Sequence, residues 1–150
     1  MKIFLGADHG GYELKEKVKT WLTEWGYEYE DLGAHHLDPA DDYPEFSFKV
    51  AEKVAQNSDS LGLLLCRSGG GVTIAANKVK GIRAVPVASE KEAEHARAHN
   101  NANVVSLAGD WLTDDDAQQI VKTFLDTPYT HEERHQRRLD QISKYERENT

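Results

Sequence analysis

Leu61-Gly62-Leu63-Leu64-Leu65-Cys66-Arg67-Ser68-Gly69-Gly70-Gly71-Val72-Thr73-Ile74-Ala75-Ala76-Asn77-Lys78 is the stretch that decides the fold. The apolar run Leu61 to Leu65 predicts a buried strand, and a helix is expected from Val72 to Val79. The small residues between them let the backbone turn sharply with its N–H groups exposed. In an open α/β sheet, ligands bind beyond the carboxyl ends of the strands, so Cys66, the only cysteine, is expected to face a ligand cleft. Amides and a helix N-terminus at that point favour negative charge and hence a reactive thiol. A packed, inert cysteine is the alternative, because free Cys is among the most buried residue types.

Similar units lie on both sides of this one. Ile3 to Ala7 predicts a strand ending in Asp8-His9-Gly10-Gly11, followed by a helix with Leu14, Val18, Trp21, Leu22 and Trp25 on one face and Gly26 as its stop. Tyr27 to Leu32 is a further, less regular strand. Ala34 to Asp42 is polar, contains a proline and is expected to be a loop. Pro44 then opens a helix through Phe48, Val50, Ala51 and Val54. Beyond the central unit, Ile82 to Ala88 predicts a fourth strand. Ser89 with Glu92 forms a capping-box pattern for a helix to about His99. Val104 to Leu107 is a fifth strand, and Asp114 starts a helix with Ile120, Val121, Phe124 and Leu125 at helical spacing, broken by Pro128.

Strands alternating with helices at these intervals predict an α/β fold: a parallel sheet sandwiched by helices. A single domain over residues 1–150 is expected, with a C-terminal helical arm at about 131–147. A chain of this length can bury roughly two-thirds of its unfolded surface. The net charge of −8 argues against a general binder of nucleic acid or acidic membranes. One cysteine forbids an internal disulfide and fits a reducing compartment. With no long apolar segment at Met1-Lys2-Ile3 or elsewhere, the expected setting is the cytoplasm.

Several polar groups can do chemistry. Asp8 and His9 follow the first strand, at the same end of the sheet as Cys66; a capping Asp beside an exposed His is the plainer alternative. His95/His99 and His131/His135 have i,i+4 spacing that would suit a metal, but no paired-cysteine or His-Glu-x-x-His motif accompanies them, and solvated histidines explain such pairs more often. His99 is followed by Asn100 and Asn103 at a helix end, and its ordinary pKa near 6.5 suits a proton carrier. Arg134 and Arg138 share a helix face and can clamp one phosphate, unless they pair with neighbouring glutamates. Neither a Walker sequence nor Gly-x-Gly-x-x-Gly occurs. Thiol, amide-lined turn, His, Asp and a phosphate clamp together fit an aldose–ketose isomerase of a phosphorylated sugar, which needs a base, enediolate donors and an anion anchor but no cofactor or metal.

The same residues resemble the family of ribose-5-phosphate isomerase B and the galactose-6-phosphate isomerase subunits. The likeness is carried by Gly6-Ala7-Asp8-His9-Gly10-Gly11, Asp42-Tyr43-Pro44, Cys66 with its glycine turn, Ile74-Ala75-Ala76-Asn77-Lys78, Gly81-Ile82-Arg83-Ala84, Ala96-Arg97-x-His99-Asn100-x-Ala102-Asn103-Val104 and Arg134-His135-x-x-Arg138. The resemblance implies a three-layer, Rossmann-like fold with five parallel strands. It also implies a homodimer, sometimes paired into a tetramer, with active sites between subunits. Cys66 would be the base that removes the carbon proton, and the amides from Arg67 through Gly69, Gly70 and Gly71 would hold the enediolate. Ser68 would help move the hydroxyl proton, His99 would open the sugar ring, and Asp8 would assist at the sugar oxygens. His9, Arg134 and Arg138 would hold phosphate, with Tyr43 and Asn100 also lining the substrate. A branch of the family has a Glu base at the position of Val72, so an apolar residue there favours the cysteine branch. Arg67 and Asp110 depart from the family, which commonly has a small residue and a phosphate-binding Arg at these positions. Arg67 is expected to compensate, on the anion or on Asp110, with a shift in sugar preference. A non-catalytic sugar-phosphate binding protein or partner subunit is the competing reading.

Overall fold

The computed structural model describes residues 1–149. Its elements run β1 (Lys2–Ala7), α1 (Tyr12–Glu24), β2 (Glu28–Asp31), α2 (Tyr43–Gln56), β3 (Ser60–Cys66), α3 (Gly70–Ala76), β4 (Ala84–Pro86), α4 (Glu90–Ala98), β5 (Val104–Ala108), α5 (Asp114–Asp126) and α6 (Glu133–Glu148). The five strands form one sheet in the order β2-β1-β3-β5-β4, and every pairing is parallel. This is the expected three-layer α/β architecture.

Strand periodicity divides the core. Ile3, Leu5, Ala7, Leu61, Leu63, Leu65, Val105 and Leu107 point to the face covered by α1, α4 and α5. Phe4, Leu64, Cys66 and Val104 point the other way, against Val50, Ala51 and Val54 of α2 and Val72 and Ala76 of α3. β3 is buried along its whole length, as befits a central parallel strand. The order of strands reverses between β1 and β3, and the crevice beyond their carboxyl ends is where such sheets take ligands.

Three expected elements differ from the observed ones. α3 begins at Gly70 and ends at Ala76 rather than running from Val72 to Val79. β4 spans three residues rather than Ile82 to Ala88. Arg83 N–H is taken by the Asn103 side chain, and Asn77 bonds both the N–H and the carbonyl of Ala84 on the open edge of the strand, while Arg83 O and Val87 N–H keep backbone partners beside β5. Pro86 has no N–H to donate. In α2 the buried face is Phe46, Ser47, Val50, Ala51 and Val54, and Phe48 is exposed. Phe48 lies two residues from both Phe46 and Val50, which turns it about 200° away on a helix. The helical C-terminal segment is present as α6, but of its residues only His135 is buried. Among the described residues, no helix is long and apolar enough to cross a membrane.

Candidate active site

The carboxyl ends of β1 and β3 bring two turns together. After β1, Asp8 is buried and its Oδ1 accepts the N–H groups of Gly10 (2.9 Å) and Gly11 (3.2 Å). Burial pushes the Asp8 carboxyl above its usual range, against the pull of His9 and these two amides. Gly10 lies against the stem of Arg67, so the Asp8 turn and the Cys66 turn touch.

After β3, Gly69 N–H donates to Cys66 Sγ at 3.0 Å. Gly69 makes this possible with φ +80°, a left-handed conformation that suits glycine. Its carbonyl is held by two buried hydroxyls, Thr73 Oγ1 at 2.7 Å and Ser106 Oγ at 2.9 Å, which also contact each other. Ser47 Oγ donates to Val72 O at 2.6 Å and ties α2 to the start of α3. The Tyr43 ring, at the first residue of α2, rests on Gly71, where a Cβ would come within 2.5 Å of it. Cys66 itself is only 6% exposed, with apolar side chains on one side and this amide on the other. The thiol is more covered than the sequence led us to expect. Ser68 and Arg67 are exposed beside it. Arg67 Nη1 reaches Asp110 Oδ2 at 3.3 Å, so the two unusual residues pair across the ends of β3 and β5.

His9, Gly10, Arg67 and Asp110 line a hollow of about 360 Å³ with Lys17 and Leu37. His9 donates its backbone N–H to Asp41 Oδ1 (3.0 Å), and its Nδ1 lies 2.7 Å from the same oxygen. This bond raises the imidazole above its ordinary value against the opposing effect of burial. Asp8, His9 and Asp41 are the one group of three among the described residues whose ligand atoms come within 4.8 Å of one another. Their Oδ1 atoms and Nδ1 are spent on one another and on amides, so the cluster is a hydrogen-bond network.

The remaining candidates lie elsewhere. His99 caps the carboxyl end of α4 and, with Asn100, Arg134, His135 and Arg138, lines a separate hollow of about 390 Å³. A helix that follows a parallel strand runs back to the sheet's amino end. The register agrees: Asn103 precedes the Val104–Gly62 pair, whereas Cys66 pairs with Ala108 at the far end. Strands of this length separate the two ends by roughly 15–20 Å, beyond the reach of a His side chain. Within one chain, then, Asp8, His9, Tyr43, Cys66, Arg67, Ser68 and Gly69 to Gly71 are gathered, and His99, Asn100, Arg134 and Arg138 form a second group.

In that second group His99 stacks on His135 (centroids 4.3 Å apart, 16° between planes) and meets His95 edge-on at 4.2 Å. Burial and the neighbouring His99 lower the His135 pKa. Arg134 Nε donates to Glu132 at 3.0 Å, the pairing that competes with a phosphate clamp. His131 precedes α6, with φ +59°, and packs on Tyr129, so His131 and His135 do not share a helix face. Sequence reasoning missed Asp41 and Ser106, whose partners lie more than thirty residues away, and Thr73, which meets Ser106 and the Gly69 carbonyl.

Buried acid, thiol, amides and imidazole at adjoining strand ends are the equipment of an enzyme that moves protons on a small polar substrate. The sequence model of the Ribose/Galactose Isomerase family matches residues 3–142. Ribose-5-phosphate isomerase B of Mycobacterium tuberculosis is 44% identical over 147 residues, which cover 98% of this chain and 91% of that protein. The crystal structure of ribose-5-phosphate isomerase B from Mycoplasma genitalium with bound ribulose-5-phosphate superposes with a TM-score of 0.95 at 46% identity, covering 99% of this chain and 97% of the other. The solved structure of Clostridium thermocellum ribose-5-phosphate isomerase B gives 0.95 at 40% identity over 100% of both chains. The chain belongs to the ribose/galactose isomerase family, enzymes that interconvert aldoses and ketoses.

Proposed function

We propose that the protein interconverts ribose 5-phosphate and ribulose 5-phosphate, or a related tetrose or hexose phosphate pair, through a cis-enediol. Cys66, as thiolate, takes the C2 proton of the open-chain aldose. The electron pair left on carbon moves into the C1–C2 bond, and the carbonyl oxygen O1 gains negative charge. Amides of the Arg67 to Gly71 turn stabilise that charge as it forms. Ser68 relays a proton from the O2 hydroxyl to O1, and the proton on sulfur returns to C1 to give the ketose. Asp8 bonds the sugar oxygens, Tyr43 covers the turn and His9 binds phosphate.

His99 would open the sugar ring, Asn100 would position it, and Arg134 and Arg138 would complete the phosphate site. Because these four lie at the other end of the sheet, a second copy of the chain is proposed to supply them in a homodimer. The reading is supported by the relative crystallised with ribulose-5-phosphate and carried by one contact, the Gly69 amide 3.0 Å from Cys66 Sγ. That amide points at the sulfur from the turn that follows β3.

The test is exchange of the C2 hydrogen of ribose 5-phosphate with deuterated water. Cys66→Ala is expected to lower both exchange and kcat by about 10²–10⁴-fold while still binding the sugar phosphate. A Cys66→Ala enzyme that exchanges at the normal rate would remove the sulfur from the chemistry.

A further inference from the structure

His9 gives two hydrogens to a single distant oxygen. Its backbone N–H and its Nδ1 both bond Oδ1 of Asp41, thirty-two positions along the chain in the loop between β2 and α2. An ionised carboxylate only accepts, so Nδ1 carries the hydrogen and Nε2 is left as the ring's free nitrogen. The Asp41 side chain is 7% exposed, whereas that of His9 is 26% exposed and lines the hollow beyond β1. Asp41 Oδ2 is buried and accepts no hydrogen bond among the described residues. All the hydrogen bonding of this buried carboxylate is therefore directed at His9.

We propose that Asp41 is a positioning residue for substrate binding: it fixes the His9 ring and keeps it cationic, so that Nε2–H is presented to the phosphate of the sugar. The inference rests on the reading of His9 as a phosphate ligand. A charge-assisted hydrogen bond to an anion is about twice as strong as a neutral one, so the charge state of this ring sets affinity. Asp8 also faces the ring and favours its cation, while Arg67 opposes it. Glu13, Lys17, Asp110 and Asp114 line the same hollow. Among these, only Asp41 is bonded to the imidazole, and Lys17 is engaged with Asp114 at 2.9 Å.

The test combines NMR titration of the His9 imidazole with steady-state kinetics across pH. Asp41→Asn keeps an acceptor in place and removes the charge. Its His9 is expected to titrate at lower pH than in the unaltered enzyme. KM for ribose 5-phosphate at about pH 8 should rise about tenfold, more than kcat falls, and the difference should fade at about pH 5.5, where the ring is protonated without help. His9→Gln should raise KM across the range and make a further Asp41→Asn change silent. In the unaltered enzyme, inhibition by inorganic phosphate should weaken through the pH at which His9 titrates, a measurement independent of how the variants fold. An unshifted His9 titration in Asp41→Asn overturns the inference. If instead the titration shifts but neither Asp41→Asn nor His9→Gln changes KM, the ring does not hold phosphate, and it is the functional reading of His9 that fails.

Discussion

Substituting alanine at Gly69 pits backbone strain against the bonds that hold the thiol turn. A non-glycine residue in the left-handed region costs about 1–2 kcal/mol. Space is not the difficulty, because the nearest atom to a Cβ there is Ser106 Oγ at 3.4 Å. Escaping the strain would require φ to swing negative, pulling the amide from Cys66 Sγ and the carbonyl from Thr73 and Ser106. Three buried bonds at about 1 kcal/mol each, with unsatisfied groups left behind, exceed the strain. Gly69→Ala is therefore expected to keep its geometry and lose stability only. The melting temperature should fall by roughly 2–8 °C, while kcat stays within about threefold. Gly71→Ala should behave oppositely: its Cβ meets the Tyr43 ring at 2.5 Å, and the half-exposed ring swings away. Binding then weakens with little loss of stability. Thermal unfolding by circular dichroism, with isomerase kinetics on the same preparations, distinguishes the two. A Gly69→Ala protein that melts normally yet loses kcat about a hundredfold would refute the ordering of these energies.

Lys15 is fully buried and bonds Asp31 at 2.6 Å, with Lys19 also on Asp31 at 3.0 Å. Asp31→Ala should cost about 3–5 kcal/mol in urea unfolding by leaving the buried Lys15 only Glu16 at 3.7 Å, and Lys15→Met should cost less because Asp31 keeps Lys19 and the Gly33 amide; equal losses would contradict this. Burial tends to raise the Asp31 carboxyl, but Lys15, the Gly33 amide and Lys19 outweigh it and lower it. Its stabilisation is thus full above the unfolded value near pH 4 and is lost as pH falls through the folded value, an acid limb that Asp31→Asn should flatten. Mixing inactive Cys66→Ala with inactive His99→Ala protein and re-equilibrating the subunits should restore about a quarter of the sites if each is shared between two copies, and none if each is built within one chain. Arg67→Gly and Asp110→Arg should change the relative rates on tetrose, pentose and hexose phosphates; an unchanged panel for both would detach this pair from specificity. Activity should persist in excess chelator, since His9 Nδ1 is bonded to Asp41 Oδ1 and Asp8 Oδ1 to the Gly10 and Gly11 amides, and loss of activity reversed by added metal would contradict that.

The architecture was legible because it rests on local periodicity. Leu61 to Leu65, the Ser89 cap bonding Glu92 N–H and the apolar stripe of α5 are each specified within a few residues. Asp8 and Cys66 could be placed at one end of the sheet from strand direction alone. What escaped depends on partners distant in sequence. Nothing near Lys15 shows that it is buried against a β2 carboxylate, and nothing near Asp41 shows that it bonds His9. The full length expected for β4 was not met for a similar reason: Ile82 and Val87 are buried, but Arg83 N–H and the Ala84 groups on the open edge are taken by Asn103 and Asn77 side chains. Phe48 is a simpler matter of helical angle.

The placement of His99 and Arg138 at one end of the sheet and Cys66 at the other has a kinetic consequence. Under the proposed shared site, an isolated protomer holds two incomplete halves and turns over nothing. Specific activity then becomes a function of dilution, sagging once the chain falls below its self-association constant and recovering on concentration, with no residue altered. Catalysis of this kind has a threshold in copy number as well as in substrate.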